Sequence, residues 1–242
     1  MSTSEGNKLL EGQLALVTGA SQGIGAATAR ALAAAGAHVI ITGRNAKLLE
    51  EVEEQIHNAG GNATIAPLDL GEPDAIARLA TAIANRWDAL DIMVLSAAYL
   101  PQLGPVTQIE PRFFNQAITT NVLATQALIA AFDPMLKRSR NARIIGLTSS
   151  LATAPRAYWG AYAATKAAFE ALLECHAQEV ARISEIRVAI VDPGATRTAM
   201  RARAYPGEDP QTVKAPEVVA DRIVALVQED FATGHRERVE AA

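Results

Sequence analysis

Tyr162 and Lys166 lie four residues apart in the run Trp-Gly-Ala-Tyr-Ala-Ala-Thr-Lys-Ala-Ala-Phe. Because helical geometry brings such positions onto one face, a helix here sets the phenol beside the ammonium group. A free phenol titrates near pH ~10, and a neighbouring cation lowers that pKa by roughly 1 to 3 units. The pair therefore has the chemistry of a proton-transfer device, although the same spacing also occurs on ordinary surface helices.

A glycine-rich turn follows the first predicted strand. Residues 14–19 read as a buried strand, and residues 20–25 lead into an Ala-rich helical stretch. Gly19, Gly23 and Gly25 permit a tight turn close to a diphosphate, whose charge meets free amide groups at the helix N-terminus. This context favours dinucleotide binding over a plain structural turn. The predicted contacts in this turn are Thr18, Gly19, Ser21, Gln22, Gly23, Ile24 and Gly25.

Ser149 closes the predicted strand 143–148 and precedes Tyr162 by thirteen residues. In a parallel sheet, ligands bind in the crevice beyond the carboxyl ends of the strands. A hydroxyl at that end is placed to hydrogen-bond a substrate oxygen. A Ser-Ser pair after a strand also caps turns and helices, and the residues alone leave both readings open.

Together these residues resemble the short-chain dehydrogenase/reductases. That family carries a Thr-Gly-x-x-x-Gly-x-Gly loop, a Ser, a Tyr-x-x-x-Lys pair and a Pro-Gly segment after the sixth strand, and all four occur here in order. The resemblance implies hydride transfer between a nicotinamide cofactor and a carbonyl or alcohol substrate. It makes Tyr162 the general acid/base and a contact of the cofactor, Lys166 its electrostatic partner and a ligand of the nicotinamide ribose, and Ser149 the orienter of the substrate carbonyl.

Asn121 completes the implied catalytic set, as a polar group that holds a water leading to Lys166. It lies in an otherwise apolar helical pattern over residues 113–128. Asn is a poor helix former, and a buried amide needs hydrogen-bond partners. The alternative is a core Asn whose hydrogen bonds are all satisfied by the protein.

The resemblance implies further cofactor contacts. At the end of the third strand, Asp69 would accept a hydrogen bond from the adenine amino group, with Leu70 beside it; alternatively, Asp69 bonds nearby turn amides. The family's Pro-Gly-x-x-x-Thr segment, which contacts the nicotinamide, corresponds to Pro193, Gly194, Thr196 and Thr198.

One motif departs from the family pattern. After the fourth strand, members usually show Asn-Asn-Ala-Gly, and this chain has Leu95-Ser96-Ala97-Ala98. Ala98 adds a methyl group where backbone and cofactor ribose approach each other, and Ser96 shortens a side chain that normally bonds across the sheet. We expect Ser96, Ala97 and Ala98 to contact the cofactor still, with weaker affinity or a slightly shifted loop.

The end of the second strand predicts a preference for NADP(H) over NAD(H). The segment Ile41-Thr-Gly-Arg44 has no acidic residue at the tip, where NAD-selective members place an Asp against the ribose hydroxyls. Gly43 leaves room for a phosphate, and Arg44 offers a charged fork suited to it. The alternative is a surface Arg that begins the next helix.

The length and composition of the chain agree with one α/β domain. Of its 242 residues, 50% are hydrophobic and 5% are aromatic, which is enough for a substantial core. The net charge of -4 argues against nucleic-acid or anionic-membrane partners. A single Cys excludes an internal disulfide and favours a cytoplasmic location. The sequence shows neither a transmembrane run nor a signal peptide, and we predict no metal site. Residues 1–9 are expected to form a flexible lead-in before a domain over 10–242.

Strand and helix signals alternate along the whole chain. This alternation predicts a Rossmann-like, doubly wound parallel sheet of about seven strands with helices on both faces. The predicted strands are 13–18, 37–42, 62–68, 91–95, 142–148, 186–191 and 236–240. The predicted helices are 24–35, 46–59, 73–87, 110–134, 159–183 and 215–229.

The segment 198–215 interrupts that rhythm and is rich in Pro, Gly and charge, as expected of a mobile excursion over a cleft. In the resembled family this region is the substrate lid. Arg197, Arg201 and Arg203 would there meet an anionic substrate, or else remain solvated.

Helices 110–134 and 159–183 combine apolar stripes with Ala-rich faces, which predicts a homotetramer or a homodimer. Two other functions stay open. One is a regulatory protein that binds NADP without turnover, since a fold alone does not prove catalysis. The other is a dehydratase or epimerase that recycles its nicotinamide.

Overall fold

The computed structural model describes residues 8–240, so most of the predicted lead-in lies outside the described residues. Strands and helices alternate along the chain. The strands are β1 (Leu14–Thr18), β2 (His38–Gly43), β3 (Asn62–Pro67), β4 (Ile92–Leu95), β5 (Arg143–Leu147), β6 (Arg187–Asp192) and β7 (His235–Arg238). The helices are α1 (Gly23–Ala34), α2 (Ala46–Asn58), α3 (Ala75–Ala84), α4 (Pro111–Ile118), α5 (Ala124–Leu136), α6 (Gly160–Val180), α7 (Ala199–Ala204) and α8 (Pro216–Gln228).

All seven strands are parallel and follow the order β3-β2-β1-β4-β5-β6-β7. Thr18, the last residue of β1, is level with Thr42 on one side and Leu95 on the other. The chain winds outward from β1 to β3 and then returns to begin β4 against the other edge of β1. The predicted doubly wound, Rossmann-like fold is confirmed, and its topological switch point lies between β1 and β4.

Both faces of the sheet are covered. Leu14 and Leu16 of β1 belong to the core on the α3, α5 and α6 side, whereas Ala15 and Val17 belong to the core on the α1, α2 and α8 side. This alternation is that of a strand whose successive side chains point to opposite faces. Because both faces are apolar, polar side chains collect at the strand ends, which is where the candidate site forms.

The predicted helix 110–134 is wrong as a single element. α4 ends at Ile118, a π-helical turn spans Thr119–Leu123, and α5 then continues to Leu136. The amide of Ala124 bonds to the carbonyl of Thr119, five residues back. Such turns insert an extra residue into a helix, and Asn121 lies buried inside this one.

The predicted lid segment, 198–215, contains a helix that its composition did not indicate. Thr198 caps α7, because its Oγ accepts the amide hydrogen of Arg201 at 3.1 Å. The residues of α7 are Ala, Met and Arg, which are good helix formers, and the helix ends at Ala204, two residues before Pro206. Across residues 8–240, no helix combines the length and apolarity needed to span a membrane.

Candidate active site

One cavity lies over the carboxyl ends of β1 to β6, and most of the residues singled out above line it. The predicted residues that line it are Gly19, Ser21, Gln22, Gly23, Ile24, Gly25, Arg44, Asp69, Leu70, Ser96, Ala97, Ala98, Tyr162, Lys166, Pro193 and Thr198. The remaining predicted residues, which do not belong to this lining, are Thr18, Asn121, Ser149, Gly194 and Thr196.

The glycine turn brings α1 unusually close to the rest of the sheet. Gly19 has a φ of +67°, and a Cβ there would lie 2.8 Å from Cα of Ala97. A Cβ on Gly25 would lie 2.3 Å from the carbonyl oxygen of Gly19. Neither position accepts a side chain, so the first-turn amides of α1 face the cavity across bare backbone. This cradle fits the diphosphate of a dinucleotide.

Thr18 anchors the loop after β4, where the sequence departs from the family pattern. Its Oγ accepts the amide hydrogens of Ser96 at 3.1 Å and Ala97 at 3.2 Å, and donates to the carbonyl of Val94 at 3.3 Å. The loop is therefore held through its main chain. The exchange of side chains at Ser96 and Ala98 leaves this anchorage in place.

Tyr162 lies in the first turn of α6 and is buried, with 8% of its surface exposed. Burial, and secondarily the negative charge of Asp192, raises the pKa of Tyr162. Nζ of Lys166 lies 6.0 Å from the centre of the Tyr162 ring. The pKa of the phenol is therefore shifted opposite to the direction expected from Lys166, because desolvation outweighs the distant cation.

Lys166 is buried and faces the end of β5. Its Nζ donates a hydrogen bond of 2.7 Å to the carbonyl of Leu147 and lies 4.5 Å from the centre of the Phe169 ring. Burial lowers the pKa of Lys166 to about 8, while the charge of Glu170 acts in the opposite direction. The Lys166 side chain is therefore charged at neutral pH and loses its charge as the pH rises above about 8.

Glu170, one turn beyond Lys166, is a buried acid that the motifs did not reveal. Its carboxylate accepts 2.6 Å and 2.7 Å hydrogen bonds from Thr148 Oγ and Arg236. Arg236 also bonds to Glu174 at 3.0 Å. The i, i+4 spacing from Lys166 is a signal in the sequence, but the partners on β5 and β7 are visible only in the fold.

Ser149 follows β5 and caps a short 3-10 turn. Its Oγ accepts the amide hydrogen of Leu151 at 3.3 Å, so the capping alternative is present. A hydroxyl has one donor hydrogen and two acceptor positions. The donor hydrogen of Ser149 therefore remains for another oxygen.

Asn121 uses its whole amide inside the protein. Its Oδ1 accepts from the amide of Tyr99 at 2.7 Å, and its Nδ2 donates to the carbonyl of Tyr99 at 3.0 Å and to Thr165 Oγ at 2.9 Å. The side chain fastens the loop after β4 to α6, in the position of a fully satisfied core Asn. Its implied contact with a water stays a prediction.

The cofactor end of the cavity has space beside Gly43 and a cation at its rim. A Cβ on Gly43 would lie 3.4 Å from Ser21 Oγ, so a larger side chain there would crowd the glycine turn. Arg44 is exposed and lines the cavity. Asp69 also lines it, and one of its oxygens accepts the amide hydrogen of Gly71 at 2.9 Å, as in the turn alternative.

The segment after β6 forms a closed turn. The amide of Gly194 donates to Asp192 at 2.9 Å, and the hydroxyl of Thr196 donates to the carbonyl of Pro193 at 3.0 Å. Thr196 is buried, and both groups are occupied in shaping the turn. Pro193 and Thr198 are the two predicted residues of this segment that reach the cavity.

Two of the lid arginines have acceptors within the protein. Arg201 donates to both carboxylate oxygens of Glu208, at 2.6 and 2.7 Å, and Arg203 donates to the carbonyl of Leu100. These contacts disfavour the expected role of the two side chains toward an anionic substrate, and that role stays a prediction. Arg197 is exposed.

Several residues that line the cavity were not identified from the sequence. Each lies at a strand end or close to a predicted site residue, and this proximity in sequence is the signal that could have identified it. They are Thr42, Leu68, Thr120, Leu147, Thr148, Ala199 and Met200.

Comparison with known proteins agrees with this geometry. The family described as short chain dehydrogenase matches residues 13–209. The chain belongs to the short-chain dehydrogenase family. A relative within the family is the uncharacterized oxidoreductase YciK of Escherichia coli strain K12, which is 36% identical over 225 residues, or 92% of this chain and 88% of YciK. The chain is an oxidoreductase of the short-chain dehydrogenase type.

Solved structures of family members superpose closely on this chain. A candidate short-chain dehydrogenase from Shigella flexneri 2a strain 301, complexed with NADP, has a TM-score of 0.93 at 34% identity and covers 98% of this chain and 100% of its own. One from Escherichia coli CFT073, complexed with NADPH, has a TM-score of 0.92 at 35% identity, with the same coverage of each chain.

Proposed function

We propose that this short-chain dehydrogenase transfers hydride between NADP(H) and a carbonyl or alcohol substrate, with Tyr162 as general acid/base. The observation that carries the proposal is the position of the Tyr162 phenol in the same cavity as the glycine turn. Lys166 lines that cavity too, and Ser149 ends the adjoining strand. These groups lie at the switch-point edge of the sheet, where ligands bind in such folds.

The raised pKa of Tyr162 keeps the phenol protonated at neutral pH, so its proton is present when a carbonyl group binds. When bound, the nicotinamide supplies the hydride to the carbonyl carbon, or accepts it in the reverse direction. Tyr162 gives its proton to the carbonyl oxygen in reduction and takes one from the hydroxyl in oxidation. Ser149 donates a hydrogen bond to the same oxygen and fixes its position. Lys166, held by Leu147, supplies positive charge beside the phenolate that reduction leaves.

We assign the preference for NADP(H) to Arg44 and Gly43. The 2'-phosphate fits beside Gly43, where no side chain stands, and the Arg44 guanidinium at the rim forms a charge-assisted contact with it. Two structural relatives were solved with NADP or NADPH, which supports this assignment. The proposed contacts of Asp69, Ser96, Ala97, Ala98 and the Pro193–Thr198 segment follow from the same placement of the cofactor.

The deciding experiment is a screen of aldehydes, ketones and quinones in which the consumption of NADPH is monitored by the absorbance of its nicotinamide ring. Consumption that depends on both substrate and Tyr162 supports the proposal, and Tyr162→Phe is the matched control. Disappearance of substrate without net change in NADPH would instead indicate a dehydratase or epimerase. Tight NADPH binding without any turnover would indicate a regulatory protein.

We further propose that the protein acts in the cytoplasm as a homotetramer or homodimer paired through the helices α4 to α6. Leu123, at the π turn between α4 and α5, is 58% exposed, as expected for a residue that a second copy covers. Light scattering at micromolar concentration tests this assembly, and a monomer would overturn it.

A further inference from the structure

A small apolar cluster surrounds the catalytic phenol, apart from the two cores that flank the sheet. Leu100, Leu151 and Ala163 are buried against Tyr162, and Trp159, Met200 and Ala204 pack on the same group. These residues come from four separate segments: the loop after β4, the turn after β5, α6 and the lid helix α7. Their convergence on one reactive group gives Tyr162 an apolar surround on its substrate side.

A second cavity of about 440 Å³ continues outward from this cluster. Tyr99 lines both this cavity and the cofactor cavity, so the two adjoin at the active site. Leu100, Leu103 and Ala204 line it and also belong to the apolar cluster or pack against it. Its volume is within the range of about 300 to 1,000 Å³ typical of small-molecule sites.

The charged side chains of the lid beside this cavity have hydrogen-bond acceptors within the protein. Among the described residues of its lining, Arg203 alone is charged, and its guanidinium donates to the carbonyl of Leu100. Arg201 is held by both oxygens of Glu208 and stacks 3.7 Å from the centre of the Tyr205 ring. An anionic substrate would have to displace Glu208 to pair with Arg201.

Aromatic rings form the wall between the lid and Tyr162. The ring of Trp159 lies 6.1 Å from that of Tyr162, in an edge-on arrangement, and 5.7 Å from that of Tyr205. Such surfaces bind flat or extended apolar groups, and they offer no counter-charge.

We infer that the substrate is a neutral carbonyl compound with an extended alkyl or aryl body, which occupies the second cavity while its carbonyl group meets Tyr162. This inference rests on the proposed function for the reacting group and on the cavity lining for the apolar body. Leu103, which lines the second cavity, and Trp159 and Met200, which pack on the apolar cluster beside it, are then the residues that determine specificity.

The test uses Trp159 as a reporter of binding. The chain has two tryptophans, and Trp87 stacks on His38 at the opposite edge of the sheet, 5.2 Å between ring centres. In Trp87→Phe protein, with and without NADPH, n-alkanols from hexanol to decanol are titrated against the matched n-alkanoates. Each added methylene should tighten alkanol binding by about fourfold. Each alkanoate should bind at least about tenfold more weakly than its alkanol.

A second test introduces a charge into the lining of the second cavity. Leu103→Glu in the same background should weaken decanol binding by at least about tenfold, whereas Leu9→Glu, at a leucine that is 75% exposed elsewhere, should leave it unchanged. Alkanoates that bind as tightly as alkanols, no dependence on chain length, or an unaffected Leu103→Glu protein would each overturn the inference.

The oxidoreductase function and the apolar substrate can be rejected independently of each other. Alkanol binding with the expected increments but no NADPH-linked turnover of any carbonyl would reject the oxidoreductase assignment and keep the apolar cavity. Turnover that favours anionic or very short carbonyls would keep the oxidoreductase and reject the apolar substrate.

Discussion

The carboxylate of Glu170 accepts a 2.6 Å hydrogen bond from Thr148, the residue directly before Ser149. The same carboxylate is paired with Arg236 and lies one helical turn from Lys166. One buried charge thus joins the strand that carries the candidate serine to the helix that carries the candidate tyrosine and lysine. The relationship gives the active site a rigid back wall that the motifs alone do not reveal.

Removing the charge of Glu170 should therefore destabilise the protein. Glu170→Gln leaves Thr148 and Arg236 with a weaker acceptor, and we expect a loss of about 2 kcal/mol in the free energy of unfolding. Urea unfolding followed by circular dichroism measures it. Glu174→Gln is the matched control, because Glu174 pairs with the same Arg236 but its side chain is 52% exposed. The control should lose less than about 0.5 kcal/mol, and equal losses would contradict the role of burial.

Tyr162→Phe should lower turnover by roughly 10²- to 10⁴-fold, because the phenolic proton is lost while the ring and its packing remain. NADPH affinity, measured by fluorescence, should stay within about twofold, since other residues make most of the proposed cofactor contacts. A Phe variant that keeps half of the wild-type rate on a good substrate would show that another group transfers the proton.

NADPH affinity should depend on pH through Lys166. Its pKa is lowered to about 8 by burial, so the side chain is charged below that pH and loses its proton above it. Because a charged donor bonds the ribose more strongly than a neutral one, the dissociation constant should rise by about fivefold between pH 7 and pH 10. Fluorescence titrations with NADPH at several pH values in this range measure this stepwise rise in the dissociation constant. Lys166→Met should bind more weakly at pH 7 and show no step; a step that persists would assign it to another group.

Arg44→Ala should remove most of the preference for NADPH. A partly exposed charge-assisted contact with the 2'-phosphate contributes about 1.5 to 3 kcal/mol, which corresponds to roughly ten- to a hundredfold in affinity. NADH binding should be unchanged, because NADH has no such phosphate. Fluorescence titration of both cofactors into both proteins measures the effect. Equal affinities for the two cofactors in the wild type would contradict the assignment of Arg44.

The sequence by itself determined the doubly wound sheet, because alternating buried strands and amphipathic helices leave few other arrangements for a chain of this length. It also determined the glycine turn. Gly25 lies where any side chain would collide with the carbonyl of Gly19 in the same turn, and such a steric demand is local. The spacing of Tyr162 and Lys166 likewise needed only helical geometry.

Only the tertiary structure decided the electrostatics and the substrate side. The pKa of Tyr162 rises because the fold buries it, although the spacing to Lys166 predicted the reverse. Arg201 and Glu208 pair because the lid forms a short helix, and Asn121 turns inward because a π turn interrupts its helix. The burial of Tyr162 depends on residues distant in sequence, and the Arg201–Glu208 pair depends on how the chain turns after α7, so periodicity and spacing carry no information about either.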